Sequence, residues 1–304
     1  MSKHVLVAGS LHYDLVVNAD RFPIADEYIV GHSPRHVAGG KGGNQALASA
    51  RCGAVTWLAG RVGDDEAGRL LKASLSEGGV DISLVQTVAG EPTGSSVAIV
   101  NEFGDFGAVV MSGANATFDA GGVTLPSEAG FLLLQNELPE GANLALARKA
   151  AAAGLYIVLN GCPLRENSDE LLSLTGTLIL GLHEAEAMTG HPFSNIRMAL
   201  DAIQPIAERI PRVVFFLSGG GMVHVERGGR PEYHPTRDKS PESMHGAQDF
   251  FVGAYVSQIA GGSEFEAATH YAQAAATLFM TTPVERRDLI RATQIRARLS
   301  EDDR

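Results

Sequence analysis

The sequence predicts an α/β protein, with a mostly parallel central sheet, helices on both of its faces and a small β-rich lid beside it. Three observations carry that expectation. From Phe131 onward, short apolar runs alternate with segments of helical spacing, the rhythm of strands joined by helices that cover the sheet. Near the start, Val5–Gly9 is a short apolar run of the kind that forms a buried strand. Around residues 12–38 and 84–112, extended segments follow one another with no helix between them, and a lid absorbs them.

Taken in order, Val5–Gly9 is followed by extended segments at Tyr13–Asn18 and Tyr28–Val37, interrupted by Arg21-Phe22-Pro23. A helix is expected after Asn44, then a strand at Val55–Ala59. Asp64–Leu75 has helical apolar spacing and stops at Gly78-Gly79. Leu84–Val88, Ser96–Val100 and Ala108–Met111 read as strands. The alternating part comprises strands at Phe131–Leu134, Tyr156–Leu159, Leu178–Leu180 and Val213–Leu217, with helices at Asn143–Ala153 and Ile196–Glu208. Two more helices, Phe250–Gln258 and the alanine-rich Glu266–Phe279, complete the reading. One α/β domain over residues 1–304 is expected, its lid formed by the two early segments.

Composition narrows the function. Hydrophobic residues make up 45% and charged residues 19% of the 304 residues, which describes an ordinary globular chain. Twenty-four Lys and Arg against 35 Asp and Glu leave a net charge of −11, opposing broad attraction to nucleic acid or anionic lipid. A small-molecule partner is expected. The apolar run after Met1-Ser2-Lys3-His4 is too short for a signal sequence or a membrane span, so a cytoplasmic location is expected. Cys52 and Cys162 lack CxxC spacing and read as reduced packing residues.

The candidate chemistry lies in two glycine-containing segments. Gly39-Gly40-Lys41-Gly42-Gly43-Asn44 runs into a helix, and Gly9-Ser10-Leu11-His12-Tyr13-Asp14 lies at the carboxyl end of the first strand, where open α/β sheets bind ligands. Near the other end, Gly246-Ala247-Gln248-Asp249 opens another apolar helix. No GxGxxG follows the first strand, and Gly42 after Lys41 excludes a Walker A loop. Taken alone, Asp14 also reads as a turn residue, Lys41 as a solvated side chain and Asp249 as a helix cap. His183-Glu184 lacks the second His of HExxH, and His224, His234 and His245 show no metal-ligand spacing, so packing or surface roles are expected of them.

Taken together, these residues resemble the ribokinase-like (PfkB) family of carbohydrate and nucleoside kinases, over most of the chain. The resemblance rests on Gly39–Gly63 with Asn44, on Gly9-Ser10 with Asp14, and on Gly113-Ala114-Asn115, Glu137, Asn160 with Pro163, Glu184-Ala185-Glu186 and Thr189-Gly190, all in the family's order. It implies a Rossmann-type layering and an ATP-dependent sugar kinase that phosphorylates a hydroxymethyl group of a furanose-like sugar. Asp249 would be the general base. Asp14, His12, Gly40, Lys41, Asn44 and Glu137 would bind the sugar. Gly246, Ala247, Gln248, Ser218, Gly221 and Gln273 would face ATP, and Glu184 would act indirectly on Mg²⁺. A homodimer formed through the lid would protect its strand edges.

Several positions depart from the family pattern. His12 stands where the pattern has Asn. Ser243-Met244 and Gln248 replace parts of an Asp-Thr and Gly-Ala-Gly-Asp run, and Gly181 begins the motif whose Asn the family links to magnesium and phosphate. Phe216 and Ser218 stand where Thr and Gly border the nucleotide, and Met280-Thr281-Thr282-Pro283 replaces a basic, glycine-containing loop. These changes alter the implied ATP and monovalent-cation contacts. Two further readings therefore stand beside the sugar kinase: a sugar- or nucleoside-binding protein that has lost phosphoryl transfer, and a nucleoside kinase.

Overall fold

The computed structural model describes residues 4–102, 106–217, 219, 221–236 and 243–302. Strand β1 (His4–Ala8) lies in the middle of a large sheet, flanked by β4 (Thr56–Gly63) and β9 (Ala129–Gln135). From β9 the sheet continues through β10 (Tyr156–Asn160), β11 (Thr177–Gly181) and β12 (Arg212–Phe216), all parallel. It ends in the antiparallel strands β13 (Met222–Glu226) and β14 (Glu232–His234). Beyond β4, the short β5 (Val80–Asp81) and β6 (Val85–Val88) pair parallel with it.

Alternation along these strands builds a separate core on each face of the sheet. Val5, Val7, Leu133, Val214 and Phe216 face one core, while Leu6, Leu132, Leu134, Val213 and Phe215 face the other. The first core is covered by α1 (Lys41–Arg51), α7 (Ala247–Ala260), α8 (Phe265–Thr281) and α9 (Ala292–Asp302). Over the second lie α3 (Glu140–Ala152), α4 (Asp169–Leu174), α5 (Leu182–Thr189) and α6 (Ile196–Arg209). Helix α2 (Glu66–Glu77) is capped by Asp65, whose side chain accepts from Gly68 N at 2.8 Å. Burial on all sides explains the apolar character of α7 around its whole circumference.

A second, four-stranded sheet has the order β3-β2-β7-β8, made of β2 (His12–Ala19), β3 (Gly31–Gly39), β7 (Ser95–Val100) and β8 (Phe106–Met111). Tyr13 and His36 stack across β2 and β3 with their centroids 5.1 Å apart. On β7 and β8, Val97, Val109, Val110 and Met111 are exposed. Three details differ from the sequence reading. Val85–Val88 joins the main sheet through β4 and not the second sheet, and β3 starts at Gly31 rather than at Tyr28. Helix α1 starts at Lys41, so Gly42 and Gly43 lie inside it.

That third difference has a steric cause. Only Gly40 makes the turn, at φ 84°, the left-handed region that suits glycine. Gly42 is needed for proximity, because a Cβ there would lie 2.5 Å from Gly9 C and 2.7 Å from Ser10 N. The N-terminus of α1 thus rests directly on the end of β1. The edge hairpin β13–β14 and the short helices α4, α5 and α9 were not read from the sequence.

Helices α1 and α7 also cross closely. A Cβ at Gly253 would stand 2.5 Å from Ala48 Cβ, 2.6 Å from Gln45 O and 2.8 Å from Ser49 N, so Gly253→Ala must push the helices apart. Its expected cost is about 1–3 kcal/mol, read as a lower urea midpoint with an unchanged slope.

Candidate active site

Polar side chains at the carboxyl ends of β1, β9, β10 and β11 gather with the first turns of α1 and α7. Asp249 sits in the first turn of α7 and is only 6% exposed. Its Oδ1 accepts from Gln45 Nε2 at 2.9 Å and its Oδ2 from Asn44 Nδ2 at 3.3 Å. Lys41 Nζ lies 3.9 Å from Oδ1. Burial by itself would lower the Lys41 ammonium, but Asp249 above all, with Cys162 and Glu137, holds it above its usual range. The cleft therefore carries a charged lysine and two positive helix ends around one carboxylate.

Glu137, just beyond β9, takes the Lys41 backbone N–H on Oε2 at 2.8 Å and the Ser10 hydroxyl on the same oxygen. One carboxylate thereby ties the first turn of α1 to the ends of β1 and β9. Asp14 enters from β2. Its Oδ2 lies against Gly39, where any Cβ would collide with it, and its Oδ1 is buried without a hydrogen-bond partner among the described residues. A buried acceptor left open in this way fits a donor such as a hydroxyl. His245 stands on the loop before α7. Burial pushes its ring below the usual histidine range, Asp249 pulls it up, Lys41 pushes it down and Asp14 pulls it up, so the ring feels both carboxylates although it is exposed on one side.

Next to this group, at the ends of β10 and β11, lies a second polar cluster. Gln248 Nε2 donates to Asn160 Oδ1 at 3.1 Å, and Cys162 Sγ donates to Glu184 Oε1 at 3.1 Å. A Cβ on Gly181 would meet Glu184 Oε2 at 2.5 Å and Gln248 Oε1 at 2.7 Å, so both oxygens flank one spot. Cys162 is therefore more than a packing residue. Burial pushes its thiol up to about 12, even though Lys41 pulls it down, and it stays a thiol at neutral pH. Cys52 is buried and free, as expected.

At the start of α7, Gly246 is left-handed at φ 79° and Ala247 begins the helix. Gln248 is a helical residue, so the bulky side chain needs no glycine-only conformation. The Ala247 N–H, expected to face a phosphate, donates instead to Met244 O at 3.1 Å. Farther along, Gln273 Nε2 donates to Thr236 Oγ1 at 2.8 Å. Gly221, at φ 99°, packs against His234 O and Pro235. Gly221 and Gln273 thus gather around the 234–236 segment, while Ser218 lies outside the described residues. The His12 ring is buried beside Gly94. Ser10 and Gln45 were assigned no site role from sequence, and Cys162 and His245 only packing or surface roles. A fully buried Gln on a helix facing an acid was the missing signal for Gln45.

Comparison with known proteins places this geometry. A family model described as pfkB family carbohydrate kinase matches residues 2–287. The chain is 31% identical over 287 residues to a ribokinase of Haemophilus influenzae, covering 92% of this chain and 93% of that one. To a Bacillus subtilis ribokinase it is 30% identical over 280 residues, with 91% and 92% covered. The solved structure of Arabidopsis thaliana ribokinase complexed with ribose and ATP superposes with a TM-score of 0.85 at 26% identity, covering 98% of this chain and 99% of that one.

Gln45→Met should leave Asp249 Oδ1 without its strongest neutral donor. The expected loss is about 1–3 kcal/mol of stability, measured by urea unfolding at neutral pH, with Asp249→Asn in the same background restoring part of it.

Proposed function

The chain belongs to the pfkB family of carbohydrate kinases and is a ribokinase-like, ATP-dependent sugar kinase, and from that premise we propose that it phosphorylates a hydroxymethyl group of a furanose-like sugar with Asp249 as general base. One observation carries the assignment. A buried carboxylate at a helix N-terminus is held by Gln45 and Asn44 of α1, and the open acceptor of Asp14 lies against Gly39, just before that same helix.

In this reading Asp14 Oδ1 accepts from the sugar hydroxyls, and Asn44, Lys41, the Gly40 backbone and the second oxygen of Glu137 complete the acceptor site. Asp249 accepts the hydroxyl proton as the oxygen attacks the γ-phosphorus. Gln45 keeps the carboxylate aimed, and the ammonium of Lys41 stabilises negative charge that builds up beside it. First-turn amides of α7 have no acceptor within the helix, so those of Gly246 and Gln248 face the transferring group. With Ala247 engaged by Met244, this anion site relies on fewer donors than the sequence implied.

ATP supplies the phosphoryl group, and Mg²⁺ bound with it would offset the charge on the phosphates. The residues present fit such an ion. Glu184 Oε2 and Gln248 Oε1 flank the same space beside Gly181, an all-oxygen donor set suited to a hard cation that keeps most of its waters. Gly221 and Gln273 would border the nucleotide. The second sheet would serve as the lid, and its exposed Val97, Val109, Val110 and Met111 support pairing with a second copy. Among the described residues no helix is long and apolar enough to cross a membrane. ATP use supports a cytoplasmic location.

Pentoses, ketohexoses and nucleosides assayed with Mg-ATP test the reading. Turnover of a furanose-forming sugar is expected, and Asp249→Ala should lower kcat by roughly a thousandfold; no turnover above that variant with any acceptor overturns the assignment. Gly39→Ala should displace the Asp14 carboxylate and raise the sugar KM about tenfold, the worth of one hydrogen bond, with kcat much less affected.

A further inference from the structure

Three histidines from three different elements converge outside the cleft: His224 on β13, His234 on β14 and His270 on α8. One ring nitrogen from each lies within 4.8 Å of the others. The sequence showed no ligand spacing because the partners are distant along the chain, and the fold supplies the proximity. His270 Nε2 and His234 Nε2 are 3.1 Å apart. A tetrahedral zinc with Zn–N bonds of about 2.0–2.1 Å holds its nitrogens about 3.3 Å apart, so this pair already has nearly the required separation.

The third ring supplies an independent observation. His224 is 5% exposed, and both of its ring nitrogens are buried without a hydrogen-bond partner among the described residues. Packing alone leaves one N–H and one lone pair unsatisfied, which is costly. A metal ion would take the lone pair. The ring stacks on His234 with centroids 4.9 Å apart and meets His270 edge-on at 6.2 Å, so small rotations bring the three nitrogens around a common point. Glu232 Oε2, 3.8 Å from His234 Nε2, stands ready beside a fourth position otherwise open to water.

We propose that His224, His234 and His270 form a binding site for a divalent transition ion, zinc, that pins the edge hairpin β13–β14 onto α8. Imidazole nitrogens suit zinc and its neighbours far better than magnesium, so this site is distinct in kind from any ion carried by the nucleotide. It lies one helical turn from Gln273, whose bond to Thr236 ties the segment just after β14 to α8.

Tag-free protein, stripped with chelator, is titrated with Co²⁺ as the spectroscopic probe and then with Zn²⁺ in competition. A single equivalent giving visible d–d bands of a low-coordinate site, bleached by zinc, is expected. His270→Gln and His234→Gln, with unchanged far-UV circular dichroism, should each weaken binding by roughly a hundredfold or more, since even partners one shell removed cost 10–100-fold. Zinc should raise the melting temperature of the parent protein but not of the variants. Absence of the bands, or bands that persist in both variants, overturns the proposal. A His224 variant is avoided, because it empties a buried position and would confuse loss of a ligand with loss of packing.

Discussion

Two helix N-termini, those of α1 and α7, lie side by side over the carboxyl ends of the central strands, and a single acid reconciles them. Each end carries unsatisfied N–H groups and partial positive charge, and Lys41 adds a full charge between them. Asp249 offsets that concentration through Gln45, Asn44 and Lys41. Glu137 does the same one layer below, tying the Lys41 amide to Ser10. The close contacts of Gly42 with Gly9 and of Gly253 with Ala48 follow from this geometry. Without small residues there, the helix ends could not approach the strand ends closely enough for those carboxylates to reach.

The same arrangement accounts for the two sides of the cleft. Around β1, β2 and the start of α1, strand ends and carboxylates fix positions, leaving Asp14 Oδ1 open. At the ends of β10 and β11 a side-chain amide stands where the family pattern has glycine, and Gln248 fills space between Asn160 and Glu184. Its backbone remains helical, so the electrostatic character of the α7 terminus survives the substitution. The changed residue alters what lines the space beside Gly181 more than how the helix end points.

Much of the architecture could be read from the residues because alternating burial leaves a direct trace. Leu132, Leu133 and Leu134 form an uninterrupted apolar run since both faces of β9 are covered. The start of α1 was misplaced because adjacent glycines signal a turn and a close approach equally well, and only the contact with Gly9 separates the two. Asp14, Lys41, Asn44, Glu137 and Asp249 could be picked out by their order along the chain. Gln45 and Cys162 could not, since a helical Gln and an isolated Cys carry no pattern of their own. The His224, His234 and His270 group was hidden for another reason: it exists only where a hairpin edge folds over α8.

The two acids of the cleft belong to separate structural bodies. Asp14 rides on the second sheet, whereas Asp249 and its supporting amides are anchored to the main sheet and its helices. On the proposed function, acceptor preference can therefore drift through changes in β2, β3 and their glycines while Asp249 keeps its surroundings. Such modularity lets a lineage explore new alcohols without rebuilding its chemistry.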